Sequence, residues 1–243
     1  MRKAFVSTLI IFTTATATTL NVPSQYSTIQ AAIDAASAGD TVLVANGTYT
    51  ENITFGGKKV VLASTFISTG NQSDISNTII DGNKAGAVVT FSGDNQHELK
   101  GFTIQNGTGW LNSSPALRWG GGIRIGGAAT NGGPTISDCI IENNEAYDGG
   151  GIHLHSSGAT LKNLTIRNNK ANGSGGGIFH WGSGVTLENV TISNNVATGA
   201  GGSFSQVSSA NWNNVIVKDN SATNDDGGIH ISAGGKPTLR NVT

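Results

Sequence analysis

Apolar positions in this chain fall in short runs that alternate with polar ones, and Gly and Asn separate the runs. Alternation of this kind sends successive side chains to opposite faces of a strand. From residue 134 the runs repeat. Segments 134–141, 159–166, 185–192, 210–217 and 237–243 align without gaps, and the four complete ones end 25, 26 and 25 residues apart. Segment 97–104 is an earlier copy, followed by a longer insertion. A second element is interleaved: Gly-Gly-Gly-Ile at 120–123, 149–152 and 175–178, Gly-Gly-Ser-Phe at 201–204, and Gly-Gly-Ile at 227–229. No run in the repeat is long enough for a stable helix, and one unit cannot bury its own apolar face. Stacked units can, with each strand pairing to its equivalent in the next. The pattern therefore predicts an all-β chain, a right-handed parallel β-helix (solenoid) of about seven coils.

Alternation also sorts the side chains. Leu161, Leu164 and Ile166 point inward, Lys162, Thr165 and Arg167 point outward, and Asn163 makes a bend that sets two inward residues three apart. Cys139, the single cysteine, shares its repeat position with Leu164, Val190, Val215 and Val242 and reads as a small core residue. Asn163, Asn189, Asn214 and Asn241 are expected to stack as an amide ladder that Asp138 and Gly101 interrupt. Asn144, Asn169, Asn195 and Asn220 form a second column, expected to supply the left-handed turn at a strand end.

The ends differ. Arg2 and Lys3, an apolar stretch and Ala15-Thr16-Ala17 make residues 1–19 a signal peptide, too short in its apolar run to span a membrane. The chain is therefore expected to be secreted or displayed at the cell surface. Residues 20–40 read as an N-terminal cap: Ser27 and Gln30 fit a capping box, Ile29, Ala32, Ile33 and Ala36 form one apolar face, and Gly39 stops the helix. Residues 41–243 form the β-helix. The last repeat stops one residue before its expected inward Ile, so the sequence reads as a fragment, truncated at the C-terminus.

Composition adds little to the fold but removes some partners. The 35 Gly and 12% charged residues suit turns and polar strands, and the formal charge of −1 gives no footprint for nucleic acid.

The stretches 26–36, 39–44, 47–52 and 78–83 resemble the N-terminal part of pectin-lyase-like β-helix proteins, and the resemblance runs from about residue 22 onward. That superfamily includes lyases, hydrolases, esterases and adhesins. The Gly-Gly-apolar element and Ile166-Arg-Asn-Asn169 also resemble repeats of polymorphic outer-membrane adhesins, with Ile in place of their Phe. The first resemblance implies three strands per coil and a ligand cleft on the outer face of the strand after the glycines. Alternation lists that face as Arg124, His153, Phe179, Ser205 and His230, then His155, Trp181, Val207 and Ser232, with Phe204, His180 and Gln206 inward. Trp and Phe stack on sugar rings, while Arg and His bind hydroxyls or carboxylates. Trp110, Arg118 and Trp119 stand beside the same strand. The ligand-binding candidates are thus Arg124, His153, His155, Phe179, Trp181, His230, Trp110 and Trp119.

Catalytic candidates are Asp225, Asp226, His230 and Arg124. In hydrolases of the superfamily an adjacent Asp pair supplies acid and base, and Asp225-Asp226-Gly227 matches part of that pattern without its Gly-His-Gly or Arg-x-Lys companions. In its lyases, clustered carboxylates hold Ca²⁺. Asp148 and Asp226, about three coils or ~14 Å apart, are too distant to share one ion and read as solvated turn residues. No cofactor and no metal site are otherwise expected. Three functions stay open: a non-catalytic, adhesin-like binder of polysaccharide or cell-surface glycan, a polysaccharide lyase or glycoside hydrolase, and a purely structural spacer presenting a downstream domain. The catalytic set is incomplete, so the sequence does not decide whether the protein is an enzyme.

Overall fold

The computed structural model describes residues 16–92, 96–111, 118–127, 132–182, 184–206, 209–232 and 234–243. Residues 1–15 of the signal segment, residues 112–117 and Val207 lie outside the described residues, while Thr19 already belongs to the first strand. Among the described residues, parallel strands stack into three ladders around one apolar interior. The longest ladder runs from Thr19–Val22 and Thr41–Val44 through Thr160–Arg167, Thr186–Ser193 and Asn211–Lys218 to Thr238–Val242. The second has seven strands: Ile53–Phe55, Val89–Ser92, Ile123–Gly126, Ile152–His155, Ile178–Trp181, Ser203–Gln206 and Ile229–Ser232. The third is short, from Glu145–Ala146 to Ser221–Ala222.

The inward residues are those that alternation selects. Leu161, Leu164 and Ile166 are buried, as are Leu187, Val190 and Ile192 directly above them. The bend between them is real: Asn163 and Asn189 sit at φ 52° and 55°, the left-handed region that Asn tolerates. Cys139 is buried beneath Leu164's column, and burial pushes its thiol up to about 12.

The first Asn column forms the expected ladder, while the second differs from expectation. Asn163, Asn189, Asn214 and Asn241 do form a ladder, but an exposed one, with Nδ2–Oδ1 contacts of 3.0–3.1 Å. Asp138 does not interrupt it. Its Oδ1 accepts from Asn163 Nδ2 at 2.9 Å, and its own φ is 54°. Asp138 lacks only the donor, so it can end an amide column as acceptor. Gly101, also left-handed, has no side chain to continue it. The second column is the buried one. Asn144, Asn169 and Asn195 point into the core, and the left-handed turn belongs to the residue before each: Asn143, Asn168 and Asn194. Each buried amide donates twice, to a carbonyl and to the next Asn Oδ1, as Asn169 does to Ile141 O at 2.9 Å and Asn195 Oδ1 at 3.0 Å.

The helix at the N-terminal end spans Ile29–Ala35 and buries Ile29, Ala32 and Ile33. Its N-cap is Thr28, whose side chain accepts from Ala31 N, not Ser27. Gln30 therefore makes no capping box. The carboxylate of Glu51, from the first coil, takes the N–H groups of Ile29 and Gln30 at 2.8 and 3.0 Å. The helix ends at Ala36, before Gly39.

Candidate functional site

The seven-stranded ladder presents the candidate residues. Its glycines explain the geometry on one side. Gly149 has φ +66°, and a Cβ on Gly150 would come 2.4 Å from Lys170 O, so the chain turns and the coils approach closely only with glycine there. After the glycines the register is fixed by coil-to-coil pairing. Ile123, Ile152 and Ile178 stack inward, and Ser203 takes the next inward position. The outward column is therefore Arg124, His153, Phe179, Phe204 and His230. The second outward column holds His155, Trp181, Gln206 and Ser232.

This corrects one coil. Phe204 and Gln206 face outward, while Ser205 is buried inside. Aligning Gly201 with Gly175 shifts the coil by one residue and reverses every side chain; the pairing aligns Gly201 with Gly176 and Ala200 with Gly175. His180 points inward, as alternation expects.

Parallel strands about 4.8 Å apart hold equivalent rings face to face. Trp119, His153, Phe179, Phe204 and His230 form one continuous stack with centroid separations of 5.0–5.3 Å and interplanar angles of 13° or less. His155 stacks on Trp181 at 4.6 Å. Trp181 is 43% exposed, the open edge of this surface. Trp119 reaches the stack through a short hairpin in which Trp110–Leu111 pairs antiparallel with Arg118–Trp119. The Arg124 guanidinium lies 4.2 Å from the Trp110 ring centre, a cation–π contact. All eight proposed ligand-binding residues thus share one face, in two parts divided by the hairpin.

Two grooves flank the hairpin. One, of about 190 Å³, is bounded by Trp119, Asp148, His153, His155, Phe179, Trp181 and Gln206. The other, of about 370 Å³, is bounded by Thr54, Thr90, Trp110, Leu111 and Arg118 among others. By its sequence Asp148 reads as a turn residue. In the fold it lies at the groove, and its Oδ1 accepts the Ser174 N–H at 2.8 Å. Burial pushes its carboxyl above the usual carboxylate range, opposed by that hydrogen bond. Burial, reinforced by Arg124, His155 and His180, lowers His153 to about 3 and keeps it neutral.

The catalytic candidates do not converge. His230 Nδ1 lies 2.9 Å from Asp226 Oδ2, an exposed pair on the last coil. Asp225 faces the preceding turn, its Oδ2 3.4 Å from where a Cβ on Gly199 would stand. Arg124 is at the other end of the stack, three rungs from His230's neighbour Phe204. Asp148, Ser174, Gly199 and Asp225 succeed one another along the turn, so Asp148 stands three rungs from the coil of Asp225 and Asp226. Among the described residues, no three His, Cys, Asp or Glu side chains gather closely enough for a metal ion. No described helix is long and apolar enough to cross a membrane.

Comparison with solved structures gives the same architecture. The pectin methylesterase of Aspergillus niger, in a penultimately deglycosylated form, matches with a TM-score of 0.53 at 18% identity, over 96% of this chain and 87% of that one. A pectin methylesterase variant in complex with a hexasaccharide matches with a TM-score of 0.48 at 14% identity, over 87% and 68%. At these identities the likeness is one of fold. No curated protein sequence matches the chain. A family model described as a right-handed beta helix region matches residues 25–192, most of the chain. The chain belongs to the right-handed β-helix region family.

Proposed function

We propose that this protein is a secreted or cell-surface β-helix that binds a polysaccharide or cell-surface glycan without cutting it. The observation that carries the reading is the ring stack from Trp119 to His230, continued at its edge by the exposed Trp181. A row of aromatic faces and edges beside a groove suits the C–H surfaces of sugar rings. The Aspergillus niger neighbour is named for its action on pectin, which supports a carbohydrate partner at a coarse level. Display at the surface, in the manner of an adhesin, follows from the N-terminal segment's resemblance to an export signal and from the repeat.

A second reading is a polysaccharide lyase or glycoside hydrolase. The His230–Asp226 pair favours it, since a carboxylate on Nδ1 orients an imidazole as a base. Among the described residues no hydrogen bond joins a second acid or nucleophile to that pair, which favours the binding reading.

The test is the size distribution of acidic and neutral polysaccharides incubated with the protein, with and without Ca²⁺, alongside titration calorimetry. Binding without shortening is expected, with Trp181→Ala weakening it about tenfold or more, as loss of one stacked aromatic does. Shortened chains overturn the non-catalytic reading and direct mutagenesis to Asp226, His230, Asp225 and Arg124.

A further inference from the structure

We infer that the groove between Trp119 and Trp181 takes an uncharged pyranose, with the Asp148 carboxylate as the acceptor for its hydroxyls. This rests on the glycan-binding reading and adds the charge class of the sugar.

The groove has aromatic walls and a single carboxylate. Trp119, Phe179 and Trp181 offer ring surface, and Gln206 offers one amide. Asp148 Oδ1 is engaged by Ser174 N, while Oδ2 has no hydrogen-bond partner among the described residues. That oxygen can only accept. Sugar hydroxyls donate to it, whereas a uronate carboxylate brings a second anion to the same partly buried place.

Among the described residues no Lys or Arg lines this groove to offset two anions. Arg118 lines the other groove, across the hairpin. The Arg124 guanidinium is laid over the Trp110 ring. His153 is closed on both faces by Trp119 and Phe179 and holds no proton to spare at neutral pH. His155 remains, stacked against Trp181. A second anion would therefore meet a carboxylate that burial already disfavours, with no guanidinium or ammonium group on the described groove wall.

The experiment compares hexasaccharides in pairs of the same linkage, a gluco-, manno- or galacto-hexaose against its hexauronate, by titration calorimetry at neutral pH. The neutral member of at least one pair is expected to bind at least tenfold more tightly. Asp148→Asn, which keeps an acceptor for Ser174 N, is expected to weaken the neutral sugar about tenfold, the difference between a charge-assisted and a neutral hydrogen bond. It is also expected to narrow the gap within the pair. Uronates that bind as well as or better than their neutral partners, and that Trp181→Ala releases, overturn the charge inference while the glycan reading stands. If neither series binds, both fall. The paired comparison on the unaltered protein needs no variant to fold.

Discussion

The buried Asn column should be worth far more to this fold than the exposed one, although the sequence presents both as repeats of the same residue. Asn169→Ala removes four hydrogen bonds: Asn144 N and Nδ2 to Asn169 Oδ1, and Asn169 Nδ2 to Ile141 O and Asn195 Oδ1. Two of the partners keep another bond. Asn144 Nδ2 still reaches Ile104 O, and Asn195 Oδ1 still accepts from Asn169 N. The Asn144 N–H and one lone-pair site of Ile141 O are left without the bonds they had. A buried polar group deprived of its partner costs about 1–3 kcal/mol, so the loss should be about 3–4 kcal/mol. Asn189→Gly is the control. It keeps the left-handed backbone and deletes the two exposed bonds to Asn163 and Asn214. It should cost about 1 kcal/mol. Urea unfolding followed by far-UV circular dichroism reads both variants, with the midpoint compared at equal slope. A destabilisation of Asn169→Ala no larger than that of Asn189→Gly would refute the reasoning that satisfaction of buried amides, not repetition, gives the column its value.

Two further stability predictions follow from the stack and the interior. His153 is held neutral with its pKa lowered to about 3, below the ordinary value of 6.5. The unfolded chain therefore binds the proton first, and stability present above pH 6.5 is lost as pH falls toward 3, at up to about 1.4 kcal/mol per unit. His153→Phe keeps a ring between Trp119 and Phe179 and should flatten that part of the curve; an unchanged difference between variant and parent across pH 3–6.5 refutes it. Ser203 occupies an inward position between Ile178 and Ile229, and its buried hydroxyl has no hydrogen-bond partner among the described residues. Ser203→Val should raise stability by about 1 kcal/mol by removing an unsatisfied group, and a lowered melting temperature counts against it.

Much of this protein can be read from one residue to the next. Val and Ile in alternation, the 25-to-26-residue period and the Gly runs dictate strands, coils and turns, because period-2 alternation and glycine's conformational freedom are local properties. They place Leu161, Leu164, Ile166 and Cys139 inside, and Arg124, His153, Phe179, Trp181 and His230 on one outer face, where the structure has them. What alternation leaves open is register between strands about 25 residues apart in the chain. A slip of one residue inverts Phe204 and Ser205, and only hydrogen bonds between coils choose between the alternatives. The same non-local pairing decides which Asn column is enclosed, lays Arg124 over Trp110, and turns Asp148 from a turn residue into the carboxylate of a groove. Burial and neighbours across coils have no counterpart in local sequence, so those features belong to the tertiary structure alone.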